Sequence, residues 1–124
     1  MRLLLDTNAL IHVRQDWSGL NPKTKDLLAD LANTVYVSSV SAAEIAIKVS
    51  IGKLDPLPED LGATIQTMRW TELPFSVQHA RCLYTLPWHH RDPFDRMIIA
   101  QALAEDLPVV TADRRFAGYG VQVL

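Results

Sequence analysis

Two apolar runs, Leu3-Leu4-Leu5 and Val109-Val110, lack the in-out alternation of a half-exposed strand. Strands buried on both faces read this way, and they occur in parallel sheets covered by helices. The intervening sequence supplies the helices. A short helical segment is expected from about Ala9 to Val13. Asn21-Pro22 reads as an N-cap followed by proline at the first helical position, with Leu27, Leu28 and Leu31 repeating at helical spacing. Val35 to Val37 is β-rich, and Ser41 opens a helix that continues through Val49 and stops at Gly52. After a turn at Pro56 and Pro58, a helix is expected to about Arg69 and a short strand at Thr71 to Leu73. Ser76 caps a helix through Leu83 and Tyr84, Pro87 to Arg91 forms a loop, and Asp92-Pro93 caps a long helix to about Glu105. Pro108 to Thr111 and Val121 to Leu124 close the pattern as strands. Alternating strands and helices define an α/β fold with a mainly parallel central sheet. A chain of 124 residues without repeats, linkers or low-complexity tracts is expected to form one domain over 1–124.

With 48% hydrophobic and 21% charged residues the chain has material for a core, which argues against disorder. Its net charge of −2 does not advertise a nucleic-acid binder, because phosphate binders usually carry a basic surplus. A lone cysteine, Cys82, cannot form an internal disulfide, and no Cys/His spacing suits zinc. The apolar run at the start is too short for a signal peptide or membrane span, so a reducing, cytoplasmic setting with no membrane association is the expectation.

Chemistry concentrates at four acids. Asp6 directly follows the first strand, and Asp113 lies just past the strand Val109-Val110-Thr111. Ligands in open α/β sheets sit beyond the carboxyl ends of strands, so neighbouring strands would bring both carboxylates into one crevice. Each acid alone also reads as a turn or cap residue. Ser41-Ala42-Ala43-Glu44 matches a capping box, and Asp92-Pro93-Phe94-Asp95 sets an acid where a helix dipole favours it, with Asp92 as the N-cap. Taken together, four acids at strand ends or first helical turns form a set of buried like charges, which either take up protons or bind cations. Oxygen-only ligands suit Mg²⁺ or Mn²⁺, and one or two such ions activate water and stabilise the leaving oxygen of a phosphodiester. At least one acid is then expected to carry a raised pKa, and amide variants to leave the metal-free fold as stable as before or more so.

The motifs in order, Leu4-Leu5-Asp6-Thr7-Asn8-Ala9-Leu10-Ile11, Ser38 to Glu44, His90-Arg91-Asp92-Pro93-Phe94-Asp95-Arg96 with Ile99-Ala100-Gln101-Ala102, and Val110-Thr111-Ala112-Asp113, resemble those of PIN domains. More narrowly they resemble VapC toxins of VapBC toxin–antitoxin pairs, over essentially the whole chain. The resemblance implies a PIN-like three-layer fold with the first and fourth strands adjacent. It implies endoribonuclease activity dependent on Mg²⁺ or Mn²⁺, a homodimer, and inhibition by a cognate antitoxin. By motif position, Asp6, Glu44, Asp95 and Asp113 take the catalytic and metal-binding roles, with Asn8 and Thr111 as supporting polar groups and Asp92 as a cap or outer group.

RNA approaching an acidic pocket calls for a basic rim, and Lys48, Arg91, Arg96, Arg114 and Arg115 lie near the motifs, as ordinary surface charges or as partners of the acids. Arg96 stands four residues after Asp92, a spacing for a helical ion pair. His89 and His90 read as loop residues that could touch phosphate or assist proton transfer, and Trp17, Trp70 and Trp88 as core or interface packing rather than base-stacking platforms. Two other functions fit the outline. A phosphoacceptor receiver domain shares the length and the acidic pocket, but it wants an acid pair after the first strand and a lysine after the last; only Asp6 follows the first, and no lysine follows Lys53. A catalytically idle PIN-like scaffold for protein binding is the second, and the intact acid set argues against it.

Overall fold

The computed structural model describes all residues 1–124. Four strands, β1 (Arg2–Leu5), β2 (Thr34–Ser38), β3 (Thr71–Leu73) and β4 (Val109–Val110), form one parallel sheet in the order β3-β2-β1-β4. Six helices cover it: α1 (Thr7–Gln15), α2 (Pro22–Ala29), α3 (Ser39–Ser50), α4 (Leu61–Met68), α5 (Val77–Cys82) and α6 (Pro93–Glu105). The alternation of β1 explains the layers. Leu3 and Leu5 enter one buried cluster with Leu10, Val35 and Val37, while Leu4 enters the other with Ile98, Val109 and Phe116. All three leucines are fully buried, so the run of leucines marks a central strand with a core on either side. β1 pairs with both β2 and β4, as the family resemblance implies. A receiver-type sheet instead runs 2-1-3-4-5 and flanks its first strand with the second and third. No helix is long and apolar enough to cross a membrane.

Several boundaries differ from the sequence reading, each for a local reason. α1 begins at Thr7, not near Ala9, because the Asp6 carboxylate accepts the Ala9 amide at 2.8 Å and caps the helix. α3 begins at Ser39 with Ser38 as its cap, the Ser38 hydroxyl accepting the Val40 amide. Ser41 therefore lies inside the helix, and Glu44 stands beyond the first turn, where no capping box operates. α2 ends at Ala29, which leaves Leu31 exposed outside it. α5 ends at Cys82, and Leu83–Thr85 forms a 3-10 turn. The expected closing strand reduces to one bridge, Val109 to Val123, and β4 stops short of Thr111.

The loop before α6 is held by one buried cation. Arg96 does not pair with Asp92. Its guanidinium donates to the carbonyls of Leu86, Pro87 and His90 and to the Tyr119 hydroxyl, with the exposed Trp88 ring stacked 3.7 Å from it. Trp88 is thus a lid on a buried guanidinium and not a core residue, whereas Trp70 is buried in the core and Trp17 packs at its edge. Because Arg96 satisfies three loop carbonyls that nothing else reaches, Arg96→Ala is expected to destabilise the fold by about 2 kcal/mol or more, read as a lowered urea midpoint. Arg96→Lys, with a point charge instead of a planar fork, is expected to recover only part of that loss.

Candidate active site

The chain leaves β1 towards β2 on one side and returns to β4 on the other, so the sheet's switch point lies between β1 and β4. Crevices in open α/β sheets form there, beyond the carboxyl ends of the strands. Leu5 pairs with Val110, and the Asp6 amide donates to the Val110 carbonyl at 3.1 Å, which ties the two strand ends together. Asp6 and Asp113 consequently flank one crevice. Glu44 reaches it from α3, which a hydrogen bond of 2.9 Å between Thr7 and Ser41 braces against α1. Asp95 reaches it from the first turn of α6, whose N-cap is Asp92; the Asp92 carboxylate accepts the amides of Phe94 and Asp95.

The four carboxylates sit in unlike surroundings. Burial pushes Asp6 above the usual carboxylate range; the Thr111 hydroxyl and the Ala9 amide oppose the rise, and the charges of Asp113 and Glu44 add to it. Glu44 is buried, with one oxygen 2.6 Å from Lys48 Nζ and the other, Oε1, buried without any hydrogen-bond partner. Asp95 is pushed up to about 6, by burial first and then by the charge of Asp92, with Asp6 and Glu44 contributing and His90 opposing. Asp113 is held down at about 2, chiefly by hydrogen bonds from Arg115. Its Oδ1 accepts the Arg115 amide and Nε, its Oδ2 accepts Arg115 Nη2 at 2.8 Å, and its own amide donates to the Thr111 hydroxyl.

His90 is the residue that the sequence reading undervalued. It is buried, and its Nδ1 accepts the Asp92 amide at 3.1 Å. That bond leaves the proton on Nε2, which donates to Asp113 Oδ2 at 3.0 Å and lies 2.9 Å from Asp95 Oδ2. The ligand-capable atoms of His90, Asp95 and Asp113 lie within 4.8 Å of one another, yet this tautomer makes His90 a donor that gathers two carboxylates rather than a metal ligand. The available signal was its place two residues ahead of an N-cap acid whose amide needs an acceptor. Asn8 is exposed and meets none of the acids through a hydrogen bond, whereas Thr111 touches both Asp6 and Asp113. Of the basic candidates, Lys48 and Arg115 pair with acids, Arg96 turns to the loop, and Arg91 and Arg114 are exposed without an ion pair.

Four carboxylates with an orphaned, buried Glu44 oxygen and a protonatable Asp95 form a donor set suited to a hard divalent cation. Such a set, part-exposed at Asp95 and Asp113, is of the kind that can support metal-assisted hydrolysis.

Solved structures share the architecture. A chain of VapBC2 from Rickettsia felis, bound to a promoter DNA fragment, superimposes with a TM-score of 0.75 at 22% identity, covering 100% of this chain and 98% of that one. DNA-bound VapBC from Salmonella typhimurium gives 0.71 at 21%, covering 100% and 97%. FitAcB from Neisseria gonorrhoeae gives 0.64 at 22%, covering 100% and 96%. At these identities the likeness is one of fold. No curated protein matches in sequence. The PIN domain family, however, matches residues 3–121, and with its acids gathered where β1 and β4 meet, the chain belongs to that family.

Proposed function

We propose that this chain, as a single domain over 1–124, is a Mg²⁺- or Mn²⁺-dependent endoribonuclease and the toxin of a VapBC-type toxin–antitoxin pair, acting in the cytoplasm. The observation that carries the reading is the convergence of Asp6, Glu44, Asp95 and Asp113 on one crevice, with a buried Glu44 oxygen that no protein group satisfies. Those four side chains would hold the cation, which would supply water activation at neutral pH and charge stabilisation for the leaving oxygen of a phosphodiester. His90 orients Asp95 and Asp113 through its Nε2 proton. Arg91 and Arg114, free of ion pairs, are the side chains available to RNA phosphates, which offsets locally the net charge of −2. The antitoxin assignment draws support from the matched VapBC complexes, while the homodimer rests on the family resemblance alone; a helix laid in a groove is the mode we expect of such an inhibitor.

Purified protein is expected to cut single-stranded or loop regions of RNA with Mg²⁺ or Mn²⁺ and to stop on chelation, since a recessed site needs an accessible strand. Folded protein that cuts no RNA from a total cellular pool with either ion overturns the reading and leaves a PIN-like scaffold. Expression alone is expected to slow growth, and co-expression of the cognate antitoxin to restore it.

Arg115 gives a further prediction. It is exposed, and its bonds keep both Asp113 oxygens engaged. Arg115→Gln is expected to raise the Asp113 pKa from about 2 towards the ordinary value and to lower the Mg²⁺ concentration for half-maximal thermal stabilisation, because a competing cation is gone. An unchanged or higher Mg²⁺ requirement contradicts this.

A further inference from the structure

We propose that the cavity beside Asp6, between α1 and the turn leading into α2, is a subsite for one nucleobase of the substrate RNA and that His12 reads its edge. The inference rests on the ribonuclease reading above and adds a specificity-determining residue to it. The cavity has a volume of about 210 Å³, with Ala9, Leu20 and Val110 as apolar wall and Asn8, His12 and Asn21 among its polar groups. That is smaller than the roughly 300–1,000 Å³ of a site for a drug-sized ligand and suits a single flat ring. Its lining adjoins the acids through Thr111, whose side chain hydrogen-bonds Asp6 and accepts the Asp113 amide at 3.0 Å. Because Thr111 borders both, a strand whose phosphate lay at the acids would carry a neighbouring base towards the cavity.

The chemistry of the lining selects a base over the alternatives. No lysine or arginine lines it, which disfavours a phosphate. Apolar walls with a polar rim match a ring that has two apolar faces and a hydrogen-bonding edge, which is how single-stranded RNA is read. Asn21 Oδ1 is engaged by the Thr24 amide at 2.8 Å, so its NH₂ group is what it offers a ligand. His12 supplies ring nitrogens that no other side chain engages, and its position depends on a glycine. A Cβ on Gly19 would fall 2.1 Å from His12 Nδ1, so the ring occupies space that any other residue at 19 would take.

The test uses metal-free protein and the uncharged probes adenosine, cytidine, guanosine and uridine, each titrated separately and followed by the amide NMR signals of Leu20 and Asn21. At least one nucleoside is expected to shift these signals saturably. His12→Ala, which removes the reader, and Gly19→Ala, which displaces it, are each expected to weaken that binding roughly fivefold, about the effect of one hydrogen bond. No saturable shift with any nucleoside, or wild-type affinity in both variants, overturns the subsite. Magnesium-loaded wild type cutting a random-sequence RNA is expected to prefer the same base next to the cut. Cleavage without any base preference overturns the subsite and leaves the ribonuclease reading intact. Nucleoside binding without any cleavage supports the pocket and overturns the ribonuclease reading instead.

Discussion

Asp6→Asn is expected to reduce RNA cleavage by about 10³-fold or more while leaving the metal-free protein as stable as the wild type or more so. Mutation of an outer group around a metal typically costs about 10–100-fold, and Asp6 belongs to the carboxylates that would hold the ion directly. Its fold role is separable. The carboxylate caps α1 by accepting the Ala9 amide, and asparagine caps a helix as well as aspartate does. Burial and the neighbouring acids disfavour the charge at this position, so removing it relieves repulsion. Asp95→Asn is expected to behave in the same way, because its carboxyl is also held above the ordinary range. Asp113→Asn is not. Arg115 and His90 hold that carboxylate in its charged form, so this variant is expected to lose both cleavage and some stability. The expectation of uniform stability across amide variants, drawn from the acid pattern alone, therefore gives way to a split set by each acid's partners. Paired cleavage assays and chelator-treated urea melts check it. An Asp6→Asn protein that cuts like the wild type removes the metal site from the mechanism.

The split shows which parts of the site a sequence can carry. The acids were legible because Asp6 directly follows the apolar run Leu3-Leu4-Leu5 and Asp95 follows an N-cap and a proline, and both patterns are local. The parallel sheet was legible in Leu3-Leu4-Leu5 for the same reason, since burial on both faces erases alternation. Glu44 was legible as an acid, and its rival reading as a capping-box residue falls because α3 starts at Ser39 with Ser38 as its cap. Two serines, Ser38 and Ser41, both offer a capping hydroxyl, and only tertiary contact with Thr7 decides that Ser41 turns inward. His90 and Arg96 were misjudged for a common reason. Their partners come from other segments: Asp113 and Tyr119 follow β4, and the Leu86 and Pro87 carbonyls belong to a loop without periodicity. The spacing of Arg96 from Asp92 permits a helical pair, but the Asp92 carboxylate is engaged in capping, and three loop carbonyls compete for the guanidinium. Spacing along a chain reports which groups can meet. It does not report what else each one can reach.

The metal-free protein is expected to lose stability as pH rises from about 4 to about 6.5, and Mg²⁺ is expected to restore it only in the upper part of that range. Asp95 has a folded-state pKa of about 6 against an ordinary 3.8. A raised folded pKa means the folded protein holds a proton that the unfolded chain has released, so its contribution is complete below the ordinary value and lost as pH passes through about 6. Asp6, shifted in the same direction, adds to this trend. Asp113 acts elsewhere: its depressed pKa stabilises the fold above the ordinary value, and that contribution disappears as pH falls through about 2. The two effects occupy separate windows, so the fall from pH 4 upward belongs to Asp95 and Asp6. Protons and Mg²⁺ compete for the same carboxylates. At pH 7 a cation at a hundred times its dissociation constant adds about 2.7 kcal/mol, on the order of 10 °C in melting temperature for a domain of this size. At pH 4, with Asp95 protonated, the same ion is expected to add little. Asp95→Asn is expected to flatten the metal-free profile and to shrink the Mg²⁺ effect at pH 7. Thermal melts of both proteins from pH 4 to 7.5, with Mg²⁺ and with chelator, provide the measurement. A metal-free profile that is flat in the wild type, or a Mg²⁺ shift of equal size at pH 4 and pH 7, contradicts the picture of repelling carboxylates that a cation relieves.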